Sequence, residues 1–123
     1  EAALMENTDR LDIPDGVEVY EIDGPFFFGL ASRFEELEKM KKPGTKVRII
    51  RMRKVPFIDS TGVNNLKNLC ERTSKRGVTV ILSGVTDKVY ETLKKFGVDE
   101  EIGNDNIFPH IIPALERAKE LSR

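Results

Sequence analysis

Positions 55–62 read Val55-Pro56-Phe57-Ile58-Asp59-Ser60-Thr61-Gly62: an apolar strand pattern running into an acid, two hydroxyls and a glycine where a helix is about to start. The first N–H groups of a helix have no acceptor within the helix and carry a partial positive charge. A group bound there is favoured if it is a phosphate, a nucleotide or a partner's carboxylate, and Ser60 and Thr61 would stand beside it. Three readings of the turn stay open. Asp59 and Ser60 are both good helix caps, worth about 0.5–2 kcal/mol each against alanine. Ser60 could instead accept a phosphoryl group, whose charge of about −1.5 to −2 would suit the helix end and repel Asp59. Or the loop Asp59, Ser60, Thr61 and Gly62 could contact a nucleotide or a protein partner with Ser60 unmodified. Arg51, Arg53 and Lys54 precede the turn and could neutralise an anion bound near it; the plainer reading is a solvated strand end paired with nearby glutamates.

Other reactive residue types give less. Cys70 falls on the apolar stripe of its helix and reads as a small filler, and His110, after Phe108-Pro109, reads as the residue before the last helix. Neither has a nearby catalytic partner in the sequence. One cysteine and one histidine fall short of the usual zinc or cysteine-based sites, so no metal and no catalytic residue is assigned. Gly24, Gly29, Gly44 and Gly62 match neither a Walker loop nor a dinucleotide fingerprint. The expectation is therefore a chain that is not an enzyme and has no resident cofactor, nucleotide binding at the Asp59–Gly62 loop being the one exception left open.

With 123 residues and 39% apolar content, the chain is expected to form one domain with a real core. Its 20 basic and 21 acidic side chains nearly cancel, which removes the electrostatic footprint of a nucleic-acid binder. The longest apolar stretch, Pro25 to Ala31, is far shorter than the roughly 20 residues that span a bilayer. The first residue is Glu1 and the opening Glu6-Asn7-Thr8-Asp9-Arg10 run is polar, so a fragment of a longer polypeptide is expected.

These residues must be positioned by alternating strands and helices. Val17, Val19 and Ile22 after the Asp15-Gly16 turn signal, and Phe26-Phe27-Phe28 after Gly24-Pro25, read as short strands. Three adjacent phenylalanines cannot all face inward from one strand, so one is expected to meet either the first helix or a partner. Leu30, Phe34, Leu37 and Met40 share a helical stripe ended by Pro43-Gly44. Val47 to Met52, apolar on both faces, suits the middle of a parallel sheet. Leu66, Leu69, Cys70 and Thr73 line one face of a helix over 61–76, with Gly77 at its C-terminal cap. Val78 to Leu82 is a strand. Thr86 can cap a helix with Val89, Leu93 and Phe96 inside and Gly97 at its end; Asp99-Glu100-Glu101 reads as a solvated loop. Residues 102–108 read as a short strand, and Ile111, Leu115, Ala118 and Leu121 mark a last helix with Pro113 in its first turn. The fold class is α/β, order β-β-α-β-α-β-α-β-α, with a mixed sheet of about four or five strands covered by about four helices. In such open sheets ligands meet the carboxyl ends of the strands, where the Asp59–Gly62 turn lies.

The strand ending in Phe57-Ile58-Asp59-Ser60-Thr61-Gly62, the helix after it, and Val78-Thr79-Val80-Ile81-Leu82-Ser83-Gly84 together resemble the STAS domain, named for sulfate transporters and anti-sigma factor antagonists, over about residues 9–121. The segment Val17 to Gly29, Arg51 to Phe57 and Asn106-Ile107-Phe108-Pro109-His110 is similar to the sulfate-permease branch. The resemblance implies a single STAS domain over 1–123, the cytoplasmic carboxyl-terminal part of a SulP-type secondary anion transporter, with a regulatory and assembly role. The implied partners are the transmembrane domain of the same transporter, a second subunit or a cytoplasmic regulatory protein, at the inner face of the cell membrane. In the antagonist branch the serine after the aspartate, here Ser60, accepts a phosphoryl group; a soluble anti-sigma factor antagonist switched at Ser60 is the alternative.

Overall fold

A computed structural model describes residues 3–6, 11–23 and 44–123. Four strands, β1 (Ala3–Glu6), β2 (Val17–Asp23), β3 (Val47–Lys54) and β4 (Thr79–Ser83), form one sheet in the order β1-β2-β3-β4. β1 runs antiparallel to β2, and β2, β3 and β4 are mutually parallel. Among the described residues the helices are α1 (Ser60–Lys75), α2 (Asp87–Lys95), α3 (Val98–Ile102) and α4 (Ile111–Ser122).

β3 lies between two parallel neighbours, and its first six residues are buried, which is what the double-sided run Val47 to Met52 requires. Alternation along the strands sorts two cores. On one face Ile22, Ile50, Met52, Val80 and Leu82 pack with Val63, Leu66, Leu69 and Cys70 of α1 and with Val89, Leu93 and Val98. On the other, Val17, Val19, Val47, Ile49 and Ile81 meet Ala114, Leu115 and Ala118 of α4. α4 finishes at the amino ends of β2 and β3, where Lys46 Nζ donates to the Ser122 carbonyl at 3.4 Å. It therefore starts at the carboxyl ends of the strands, the same end as the turn into α1.

The helix stops are local chemistry. Gly77, at φ 78°, donates to Ser74 O, and Val78 N–H donates to Thr73 O, the paired bonds of a Schellman cap that only a left-handed residue closes without strain. Thr86 Oγ1 caps α2 by accepting from Val89 N–H at 3.3 Å.

Several expectations change. β1 pairs with β2 although its sequence carries no strand pattern that was readable. Residues 102–108 are not a strand: α3 ends at Ile102, Asn104–Asn106 is a 3-10 turn, and Ile107 alone bridges Leu82. Gly103, at φ 93°, bends the chain between them. Phe96 does not join the core; it is the C-cap of α2 and 39% exposed, while Val98, turned inward past Gly97, is fully buried. Asp99-Glu100-Glu101 is helical, with Asp99 buried. The expected Phe26–Phe28 strand and the helix carrying Leu30, Phe34, Leu37 and Met40 lie outside the described residues.

Candidate functional site

The turn into α1 is anchored by apolar residues and exposes polar ones. Val55 is fully buried and its N–H closes a turn onto Met52 O at 3.0 Å; Ile58 is 6% exposed. Between these anchors Pro56 and Phe57 face solvent, and Asp59, Ser60 and Thr61 are exposed while Gly62 and Val63 are buried again. Asp59 has extended backbone, φ −94° and ψ 178°, and its Oδ1 accepts from Gly62 N–H at 2.7 Å. Val63 N–H donates to Asp59 O at 2.9 Å, the first bond of the helix.

Asp59 is thus the cap, and Ser60 is the first helical residue. Its hydroxyl takes no hydrogen bond from the described residues and stands in water at the positive end of a 16-residue helix. The position suits it to accept a phosphoryl group or to donate to a bound anion. The adjacent Asp59 carboxylate is engaged with Gly62 N–H, and His110 is exposed at the N-cap of α4. Cys70 is buried inside the α1-side core, where desolvation first, and then the charges of Glu101 and Glu71, push its thiol far up. That keeps it protonated and inert. Among the described residues no cluster of metal-ligating side chains forms.

Arg53 and Lys54 sit at the end of β3 and turn toward β2. Arg53 Nε donates to Glu21 Oε1 at 2.5 Å, and Lys54 Nζ lies 3.6 Å from Glu21 Oε2. Their cationic heads remain at the carboxyl end of the sheet, half in water, with Glu21 buried between strands. Arg51 is 6% exposed and faces α4 in register with Glu21 and Ser83, which are also buried. This polar row beneath the start of α4 was not read from the sequence, because its three members come from three strands. Alternation could have placed Arg51 on the face of Ile49, opposite Ile50 and Met52.

A second buried charge lies near the amino end of the sheet. Arg48 is 1% exposed, its guanidinium 5.4 Å from the centre of the Tyr20 ring and 3.7 Å from Glu18 Oε2. Glu18 also accepts from Thr45 Oγ1 at 2.6 Å and from the Tyr20 hydroxyl. This network joins β2 to β3 and is structural; no predicted site residue belongs to it.

The geometry of a strand, an exposed acid–hydroxyl turn and a helix at the carboxyl end of a mixed sheet agrees with a family model. The STAS domain model matches residues 10–114. The chain belongs to the STAS domain family. A crystal structure of a sulfate transporter family protein from Wolinella succinogenes is 45% identical, covers 94% of this chain and 95% of that one, and superposes with a TM-score of 0.85. The SulP transporter STAS domain from Vibrio cholerae is 34% identical over 86% of this chain and 83% of that one, with a TM-score of 0.78. Sulfate transporter 1.1 of Arabidopsis thaliana is 30% identical over 116 residues, 85% of this chain and 18% of that protein. The STAS chain spans only 17–18% of the length of the curated relatives it matches. Anti-sigma factor antagonists share the fold at 16–21% identity, below the 45% and 34% of the Wolinella and Vibrio structures. No described helix is long and apolar enough to cross a membrane.

Proposed function

We propose that this STAS domain is the cytoplasmic regulatory and assembly part of a secondary transporter for sulfate or a similar small anion, and that it does no chemistry itself. The observation that carries the reading is the 45% identity to a sulfate transporter family protein across nearly the whole of both chains. The switch would be the carboxyl end of the sheet. Asp59 does the capping, so the Ser60 hydroxyl is free for a phosphoryl group, a nucleotide or a protein contact. Arg53 and Lys54 could help hold an anion there. A bound or attached group biases transport only through different contacts with the membrane domain in its two states.

The test is the complete polypeptide in proteoliposomes, with uptake of radiolabelled sulfate measured with and without this domain. Uptake that falls when the domain is removed supports the reading. A complete coding sequence without about ten long apolar segments, or uptake indifferent to the domain, overturns it.

A further inference from the structure

β4 is the outer strand of the sheet among the described residues. On its far side, among the described residues, only Leu82 has a strand neighbour, the bridge residue Ile107, with Phe108 N–H donating to Leu82 O at 2.8 Å. Backbone groups point alternately to the two sides along a strand. Thr79 N–H donates inward to Lys46 O at 2.9 Å, so the next residue, Val80, turns its N–H and C=O outward in line with those of Leu82. No strand among the described residues meets Val80 there.

That open edge forms a wall of a cleft of about 590 Å³ between the last turns of α1 and α3, lined among others by Cys70, Glu71, Lys75, Val80, Glu101 and Ile102. Cys70 and Val80 make its floor apolar. At its rim stand Glu71 and Glu101, near enough that the Glu71 carboxyl helps push the Glu101 carboxyl up. Lys75, one turn beyond Glu71, makes no ion pair with it, and Lys67 offsets the Glu101 charge only as the smallest of the influences on it. Two like-charged carboxyl groups this near each other favour a cation placed between them.

We propose that this cleft is a docking groove for an extended polypeptide segment, which adds to the outer edge of β4 at Val80 and sets a Lys or Arg side chain between Glu71 and Glu101. An open strand edge selects a backbone, because a purely apolar occupant would leave the Val80 groups unpaired. The carboxyl pair selects a basic residue within that backbone. The groove lies by the amino half of β4, away from the Asp59–Gly62 turn, and the inference does not depend on the transport reading.

The experiment titrates the 15N-labelled chain with acetyl-Val-Arg-Val-Lys-Val-amide and follows amide resonances and hydrogen exchange. The expected result is saturable shifts at Val80, Glu71 and Glu101 and slowed exchange of the Val80 N–H. Glu71→Gln with Glu101→Gln should weaken binding by about tenfold or more, the usual scale for charge-assisted hydrogen bonds. The same peptide N-methylated at each backbone nitrogen should not bind, a control that leaves the protein unaltered. Absence of saturable binding, shifts confined to other surfaces, or equal binding of the N-methylated peptide overturns the proposal.

Discussion

Asp59 and Ser60 are adjacent and similar in capping propensity, yet the helix uses one of them. The Asp59 carboxylate reaches back to Gly62 N–H, so Asp59→Ala is expected to cost about 0.5–2 kcal/mol in urea unfolding. Ser60→Ala should stay within about 0.5 kcal/mol of the parent chain. A larger loss at Ser60 than at Asp59 would mean that the hydroxyl does the capping. The sequence marked both residues as helix-start types, but choosing between them needs the backbone angles. A different limit hid the buried arginines. Arg51 read as part of a solvated strand end and Arg48 drew no reading beyond the strand Val47 to Met52; their burial is tolerated because Glu18, Tyr20 and Glu21 arrive from another strand. Glu101 gives a pH dependence at this same scale. Its carboxyl is pushed up by burial first, then by the hydrogen bond and charge of Glu71, with Lys67 pulling it back. The folded chain thus holds that proton more tightly than the unfolded chain. The stability it adds is present below the ordinary carboxylate range and is lost as pH rises through the raised value. Glu101→Gln should flatten the part of the stability profile that falls as pH rises above the ordinary carboxylate range; an unchanged slope would assign it to other groups.

At the scale of elements, Gly84 ties the end of β4 to the end of β3. A Cβ there would come within 2.7 Å of Arg53 N, 2.8 Å of its Cβ and 2.9 Å of its Cα, and the residue sits at φ +66°. Gly84→Ala is therefore expected to destabilise the domain by about 2 kcal/mol or more. It should also disturb the Arg53–Glu21 pair, visible as side-chain shifts in NMR. A loss near zero would show that the β3 end yields freely. Strong periodicity made the helices α1, α2 and α4 and the strands β2, β3 and β4 legible. The misreadings sit where periodicity is short and glycine decides direction. Ile102 to Phe108 carries enough apolar residues for a strand, but Gly103 and the Asn104–Asn106 turn leave one bridging residue. Phe96 fits the helical stripe by spacing, but α2 ends at Lys95, and past Gly97 it is Val98 that fills the core.

For the whole molecule, the exposed turn at Asp59–Thr61, the Arg53 and Lys54 heads and the start of α4 share the carboxyl end of the sheet, whereas the β4 cleft lies toward the other end. Sequence showed the first of these ends because one continuous motif builds it. It could not show the second, which is assembled from α1, β4 and α3. The transport account makes the first end the surface that informs the membrane domain. The most direct test is initial sulfate uptake by the complete polypeptide carrying Ser60→Arg, compared with the parent protein at equal membrane abundance. An exposed residue whose hydroxyl holds no structural bond should accept arginine with little change in folding. The account predicts that uptake nevertheless changes by about fivefold or more, the lower range of coupling between distant sites. Uptake identical to that of the parent protein would contradict it.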